Sequence, residues 1–217
     1  MRVAAVAAVL VLSASGCTPL DSAAAGGGGP VVSVRLRAAV GQLPVGVERR
    51  GGYARSKFEH WVDADGDGCN TRNEVLIAEA VRKPHVGGGC RLAGGRWLSW
   101  YDRRSWSDRS RLDVDHMVPL AEAWDSGASG WTAARRRGYA NDLGDLRALV
   151  AVTDSVNRAK SDQDPAEWLP RYDRCRYVAE WTAVKLRWRL SVDGAERSAL
   201  RRLAGGCVNV LVRVKRV

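Results

Sequence analysis

Adjacent Asp115 and His116 lie in the run Leu112-Asp113-Val114-Asp115-His116-Met117-Val118-Pro119-Leu120, and Asn157 follows downstream in Asn157-Arg158-Ala159-Lys160-Ser161-Asp162. These residue types suit one chemistry. A hard divalent cation takes oxygen donors such as Asp and Asn and keeps waters in its other positions. A neutral imidazole beside it can accept the proton of one such water. That is the equipment of phosphodiester hydrolysis.

For the three groups to meet, the chain must supply particular elements. The run ending at His116 alternates apolar and polar residues, as a half-buried strand does, and stops at a proline-started helix. Ala148-Leu149-Val150-Ala151-Val152 reads as a second short strand entering a polar helix whose inward face carries Asn157. A hairpin of the two strands with that helix across it would gather carboxylate, imidazole and amide in one pocket.

The motifs Asp115-His116-x-x-Pro119-Leu120-x-x-Ala123-Trp124-x-Ser126-Gly127-Ala128, Tyr139-Ala140-Asn141-Asp142, Asn157-x-x-Lys160-x-Asp162 and Pro165-Ala166-Glu167-Trp168-Leu169-Pro170 resemble the secreted HNH endonuclease family, related to the C-terminal domain of the GmrSD restriction enzymes. The resemblance spans roughly residues 40–210. It implies an α+β fold, with a ββα-metal (His-Me finger, HNH) core embedded in a mainly helical domain stapled by disulfides. It also implies His116 as general base, Asp115 and Asn157 as ligands of Mg2+ or another divalent cation, and a nucleic acid substrate. DNA is the first expectation and RNA the second, cut to 5′-phosphate and 3′-hydroxyl ends. The chain departs from the common pattern at Ala148, where an Asn that orients the catalytic His would fall. Asn141 or Asp145 could take that part, which leaves the orienting residue open; Asn141 is carried forward as the catalytic candidate.

A second constellation lies upstream. Asp63, Asp65, Asp67 and Glu74 occupy positions 1, 3, 5 and 12 of a loop with Gly68 at position 6, the spacing of a Ca2+ loop. Asn70 stands where such loops carry an apolar residue, so a helix-capping acidic turn is the competing reading. Arg72 in this block, with Arg158 and Lys160 on the Asn157 helix, are the expected phosphate contacts. Arg135-Arg136-Arg137 reads as a solvated face or a further backbone grip.

The chain of 217 residues suits one domain, and 46% hydrophobic residues are ample for a core. Its formal net charge of +10 favours polyanionic partners. Gly87-Gly88-Gly89 lacks the Gly-Lys-Ser/Thr of a nucleotide-binding loop, and no Cys-x-x-Cys pair suggests zinc. Residues 1–17 follow the plan of a secretory signal, with an apolar run too short to span a membrane comfortably and Cys17 placed for lipidation. Residues 18–37 then form a Gly-rich tether and 38–213 the nuclease domain. The expected product is a secreted or extracytoplasmic monomer, touching membrane only through a lipid on Cys17. Cys69, Cys90, Cys175 and Cys207 remain. Pairing Cys69 with Cys90 and Cys175 with Cys207 is preferred, because each pair brackets a helical segment.

Around these landmarks the periodicity predicts short helices at 53–61, 119–124, 131–139 and 164–168, and an amphipathic helix at 176–190 with Tyr177, Trp181, Val184 and Trp188 in the core. A capping-box-like Asp193-x-x-Glu196 opens a last helix that stops before Gly205. Residues 97–101 and 111–114 are β-prone and would feed the sheet bearing His116. The rival from another class is a non-catalytic, calcium-binding envelope module that holds anionic polymer or extracellular DNA.

Overall fold

The computed structural model describes residues 29–217 together with Met1. The signal segment, Cys17 and most of the tether lie outside the described residues. The elements in chain order are β1 (Val31–Arg35), α1 (Leu36–Gly41), α2 (Thr71–Glu79), β2 (His85–Gly87), β3 (Arg91–Ala93), β4 (Trp97–Ser99), β5 (Arg104–Trp106), β6 (Leu112–His116), α3 (Leu120–Asp125), α4 (Ala133–Ala140), β7 (Leu149–Thr153), α5 (Asp154–Lys160), α6 (Arg174–Trp188), α7 (Gly194–Gly205) and β8 (Leu211–Lys215). The described strands form two-stranded antiparallel ladders, β1 with β8, β2 with β3, β4 with β5 and β6 with β7. The class is mixed helix and small strands with two disulfides.

The β6–β7 ladder sits inside the molecule. Leu149 to Val152 is apolar at every position, and all of β7 is buried, as a strand covered on both faces must be. Its pairing sets Asp115 opposite Val150 and His116 opposite Leu149. β7 passes into α5 without a loop, so the helix folds back over the hairpin. On the other side α2 covers the ladder, and the Glu79 carboxylate accepts the Ala151 amide at 2.6 Å. That bond satisfies an N–H that a two-stranded ladder leaves unpaired. The carboxyl pKa rises to about 7 because burial disfavours its charge.

α6 is the column against which the rest packs, with Tyr177, Trp181, Val184 and Trp188 buried as the spacing predicts. Charged Glu180, Lys185 and Arg187 are buried on the same helix, and Lys185, wholly enclosed, lies between Glu122 at 2.7 Å and Glu196 at 2.5 Å. Asp193 caps α7 by accepting the Glu196 amide at 2.7 Å. The Glu196 side chain turns inward to Lys185 and Trp181 instead of returning to the cap.

Several expectations give way. Val31 to Arg35, expected as part of the tether, is a strand that pairs along its whole length with β8. The cause is alternation at both ends of the chain, since Val32 and Val34 turn inward with Val212 and Val214 while their neighbours face solvent. Residues 53–61 form only a 3-10 turn at Arg55–Lys57, because Phe58 is drawn into a cluster with Tyr53, Trp124 and Tyr139. Asp164 to Trp168 is a turn rather than a helix. The β4–β5 hairpin packs beside β7 without joining its ladder.

Both disulfides form as the bracketing argument expects, Cys69 with Cys90 and Cys175 with Cys207, over separations of 21 and 32 residues. Closing loops of these lengths should stabilise the domain by roughly 3–4 kcal/mol each through the unfolded chain. Cys175→Ser/Cys207→Ser should therefore lower the stability obtained from urea unfolding by about that amount. A loss below ~1 kcal/mol would contradict the loop-closure account.

Candidate active site

The hairpin β6–β7 and α5 define one side of a cleft of about 420 Å³, and Asp115, His116 and Asn157 all line it. The two distant segments do fold against one another. Their register follows from two periodicities: Asp113 and Asp115 share a strand face at i and i+2, while Asn157 and Lys160 share a helix face at i and i+3. Asn157 Nδ2 lies 3.2 Å from Asp113 Oδ2, and Lys160 Nζ lies 2.8 Å from each Asp115 oxygen.

Lys160 is fully buried and also donates to the His116 carbonyl at 2.9 Å. Tyr101 adds a hydroxyl donor to Asp115 Oδ2 at 2.7 Å. Burial pulls Asp115 upward and Lys160 downward, towards their uncharged forms, while their mutual attraction and the Tyr101 bond oppose it. With two acceptor positions on each carboxylate oxygen, Oδ1 of Asp115 keeps one beyond the Lys160 bond.

His116 is nearly buried, between Trp61 at a ring separation of 5.3 Å and Tyr139 at 6.4 Å. Its Nε2 lies 3.0 Å from the Ala140 carbonyl oxygen. A carbonyl can only accept, so Nε2 carries the proton and Nδ1 keeps its lone pair. Burial lowers the imidazole pKa to about 3, against the opposing pull of the Ala140 bond, and the ring is neutral near pH 7. The arrangement can hold a neutral base in one tautomer at the wall of a water-accessible cleft.

Other expected site residues are employed differently. Neither Asn141 nor Asp145 orients His116. The Asn141 amide oxygen accepts from Val62 and Thr71, and its nitrogen donates to the carbonyls of Glu59 and Arg137. Asp145 is bound to Arg147 at 2.6 and 2.8 Å. The orienting acceptor is the backbone of Ala140, one residue earlier, at the end of α4. Lys160 cannot reach a phosphate, because its ammonium is enclosed by Asp115 and His116. Arg72 is half-buried and donates to the Leu112 carbonyl at 2.9 Å, holding the start of β6. Burial lowers its pKa. Arg158 remains on the cleft, exposed and, among the described residues, joined only to Asp154 at 3.2 Å. In the arginine run, Arg135 and Arg136 donate to main-chain carbonyls and Arg137 pairs with Glu59, so the run clamps loops together.

Sequence reasoning passed over Tyr101, Trp61, Arg55 and Asp113. Only Asp113 had a legible signal, its two-residue spacing from Asp115. Arg55 lines the cleft.

The acidic loop is compact. Asp63 accepts from Gly66 and Gly68, Asp65 from Asp67, and Asp67 from Cys69. Oxygens of Asp63, Asp65 and Asp67 lie within 4.8 Å of one another, and Glu74 approaches Asp67 as closely. Burial first, then the neighbouring Asp67, Asp65 and Asp63, raises the Glu74 pKa. Cys69 is in a disulfide and offers no thiolate.

Lys160→Met should leave the Asp115 carboxylate buried without its cation and cost about 3–5 kcal/mol of stability. Asp115→Asn/Lys160→Met should recover most of that loss in the same urea titration. A double variant no more stable than the single one would show that Lys160 acts through something other than this pair.

Residues 93–203 match the family model described as GmrSD restriction endonucleases, C-terminal domain. That span runs from the end of β3 into α7 and contains the whole cleft hairpin; the acidic loop lies outside it. A protein of Arthroderma benhamiae, described as an uncharacterized secreted protein, is 44% identical over 158 residues, 72% of this chain and 76% of that protein. No solved structure matches the chain. No helix among the described residues is long and apolar enough to cross a membrane. By the extent of both matches, the chain belongs to the family of the C-terminal domain of GmrSD restriction endonucleases.

Proposed function

We propose that this protein is an exported, metal-dependent endonuclease that hydrolyses phosphodiester bonds, DNA being its first substrate, with a ββα-metal centre formed by β6, β7 and α5. The observation that carries the reading is His116, locked by the Ala140 carbonyl with Nδ1 available, in one cleft with Asp115 and Asn157. The family match and the secreted relative support the nuclease class and the export.

In this reading His116 Nδ1 takes the proton of the attacking water, and the Nε2–H bond to Ala140 steadies the imidazolium as it forms. Arg55 and Arg158, on the cleft walls, face the phosphate and offset its charge. The donor set suits a hard divalent cation, Mg2+ first: Asp115 and Asn157 would hold it, Asp113 lies beside Asn157, and the cleft has room for the waters such an ion keeps. When bound, the cation stabilises the charge developing on the phosphate and the leaving 3′-oxygen. In-line displacement then gives a 5′-phosphate and a 3′-hydroxyl.

His116→Ala should reduce plasmid cleavage by about 10²–10⁴-fold, the usual contribution of a general base. Plasmid binding, read by mobility shift, should stay close to wild type. Cleavage at the wild-type rate would remove His116 from the chemistry. Asn157→Ala should raise the magnesium concentration needed for half-maximal cleavage at least tenfold, and chelator should stop the native protein. An unchanged magnesium requirement would take Asn157 out of the ligand set.

A further inference from the structure

A second cavity, of about 300 Å³, opens beside the cleft and shares Asp162 with it. Its walls are acidic, although the chain as a whole carries +10. Four separate segments supply them: Glu48 from the extended stretch after α1, Glu122 from α3, Asp162 and Asp164 from the turn after α5, and Asp193 at the cap of α7; Asp125 of α3 lies at the edge, against Glu48 and Glu122. One carboxylate oxygen each of Glu48, Glu122 and Asp125 lie within 4.8 Å of one another, and the same is true of Glu48, Asp164 and Asp193.

The nearby cations are already shared. Arg50 binds Asp125 at 2.7 Å and Asp162 at 2.6 Å, and Lys185 binds Glu122 and Glu196. Glu48, Asp164 and Asp193 make no ion pair among the described residues. Beyond this crowding there is an independent sign of a missing partner. Asp125 is 5% exposed, its Oδ2 is taken by Arg50, and its buried Oδ1 meets no donor among the described residues. A buried carboxylate oxygen without a partner is costly unless a cation or donor completes it. The acidic loop differs, since its exposed carboxylates are met by the loop's own amides.

We propose that a hard divalent cation, calcium by its chemistry, binds at the edge of this cavity, held by Glu48, Glu122 and Asp125. Calcium takes six to eight oxygens at about 2.3–2.6 Å and tolerates irregular carboxylate sets, so oxygens up to about 4.8 Å apart can share one ion without rearrangement. Glu122 Oε1 is occupied by Ser126 and Lys185, which leaves Oε2 for the ion. The ion ties α3, which directly follows the His116 strand, to the extended stretch after α1 that carries Glu48. It thereby holds α3 against the segment leading to Tyr53 and Arg55 on the cleft wall, without touching substrate.

Thermal unfolding in chelator and in calcium chloride tests this on wild type, Glu48→Gln/Asp164→Asn and Asp63→Asn/Asp67→Asn. At calcium about 100-fold above the dissociation constant, wild type and the acidic-loop variant should each gain roughly 5–10 °C in Tm. Glu48→Gln/Asp164→Asn should lose that gain, yet in chelator melt at or above wild type, because removing like charges relieves their repulsion. The site is disproved if wild type gains nothing, if Glu48→Gln/Asp164→Asn keeps more than half the gain, or if that variant melts below wild type in chelator. His116→Ala, tested alongside, should show the wild-type gain while failing to cut DNA, so loss of the cation site and loss of the nuclease reading are separate results.

Discussion

The ion pair between Lys160 and Asp115 is the constraint on which the cleft depends. Neither charge could be buried alone, because desolvating either costs several kcal/mol, so the two must meet. Meeting fixes the rotation of α5 about its own axis. Asn157, three residues earlier on the same face, is then carried to Asp113, two residues earlier on the strand. The same ammonium grips the His116 carbonyl, so the backbone that carries the imidazole is held by the helix that carries the amide. A one-residue slip of β6 would reverse its faces and break every one of these contacts together.

Around this pair the chain is organised to hold polar groups in apolar surroundings. Arg187 binds Asp142 at 2.7 and 2.8 Å, Trp188 donates to the same carboxylate at 2.8 Å, and together they fasten the turn that follows α4. That turn follows the Ala140 carbonyl, so the orientation of His116 is secured from α6, far away in sequence. Lys185, one helical turn from Trp181, does the equivalent service for α3 and α7. Such networks stabilise little on balance, but each specifies one arrangement, because any alternative leaves a charge buried and unpaired.

The cleft and its acidic neighbour meet at Asp162, with Arg50 spanning Asp162 and Asp125. Positive groups that suit a phosphate, Arg55 and Arg158, lie on one side, and carboxylates that suit a cation lie on the other. A strongly basic chain thus gathers one cluster of negative charge where α3 and the exit of α5 converge, apart from the acidic loop at Asp63, Asp65 and Asp67. The placement separates attraction for a polyanion from the groups that would repel it.

Residue types and local spacing determined a good deal without coordinates. The alternation through Asp113, Asp115 and His116, the apolar run of β7, the aromatic stripe of α6, the Asp193 cap and the bracketing cysteines all depend on neighbours in the chain, and local periodicity reports them. Tertiary structure alone decided the rest. The group that orients His116 is a main-chain carbonyl, and every residue has one, so no residue type could mark Ala140. Lys160 is a natural phosphate ligand by type and an internal counter-ion by burial, and burial is a property of the whole fold. The pairing of β1 with β8 and the gathering of Glu48 with Glu122 and Asp125 join segments whose separation along the chain carries no signal. Only the packing of the core brings such groups within reach, and only there does loss of water make their charges matter.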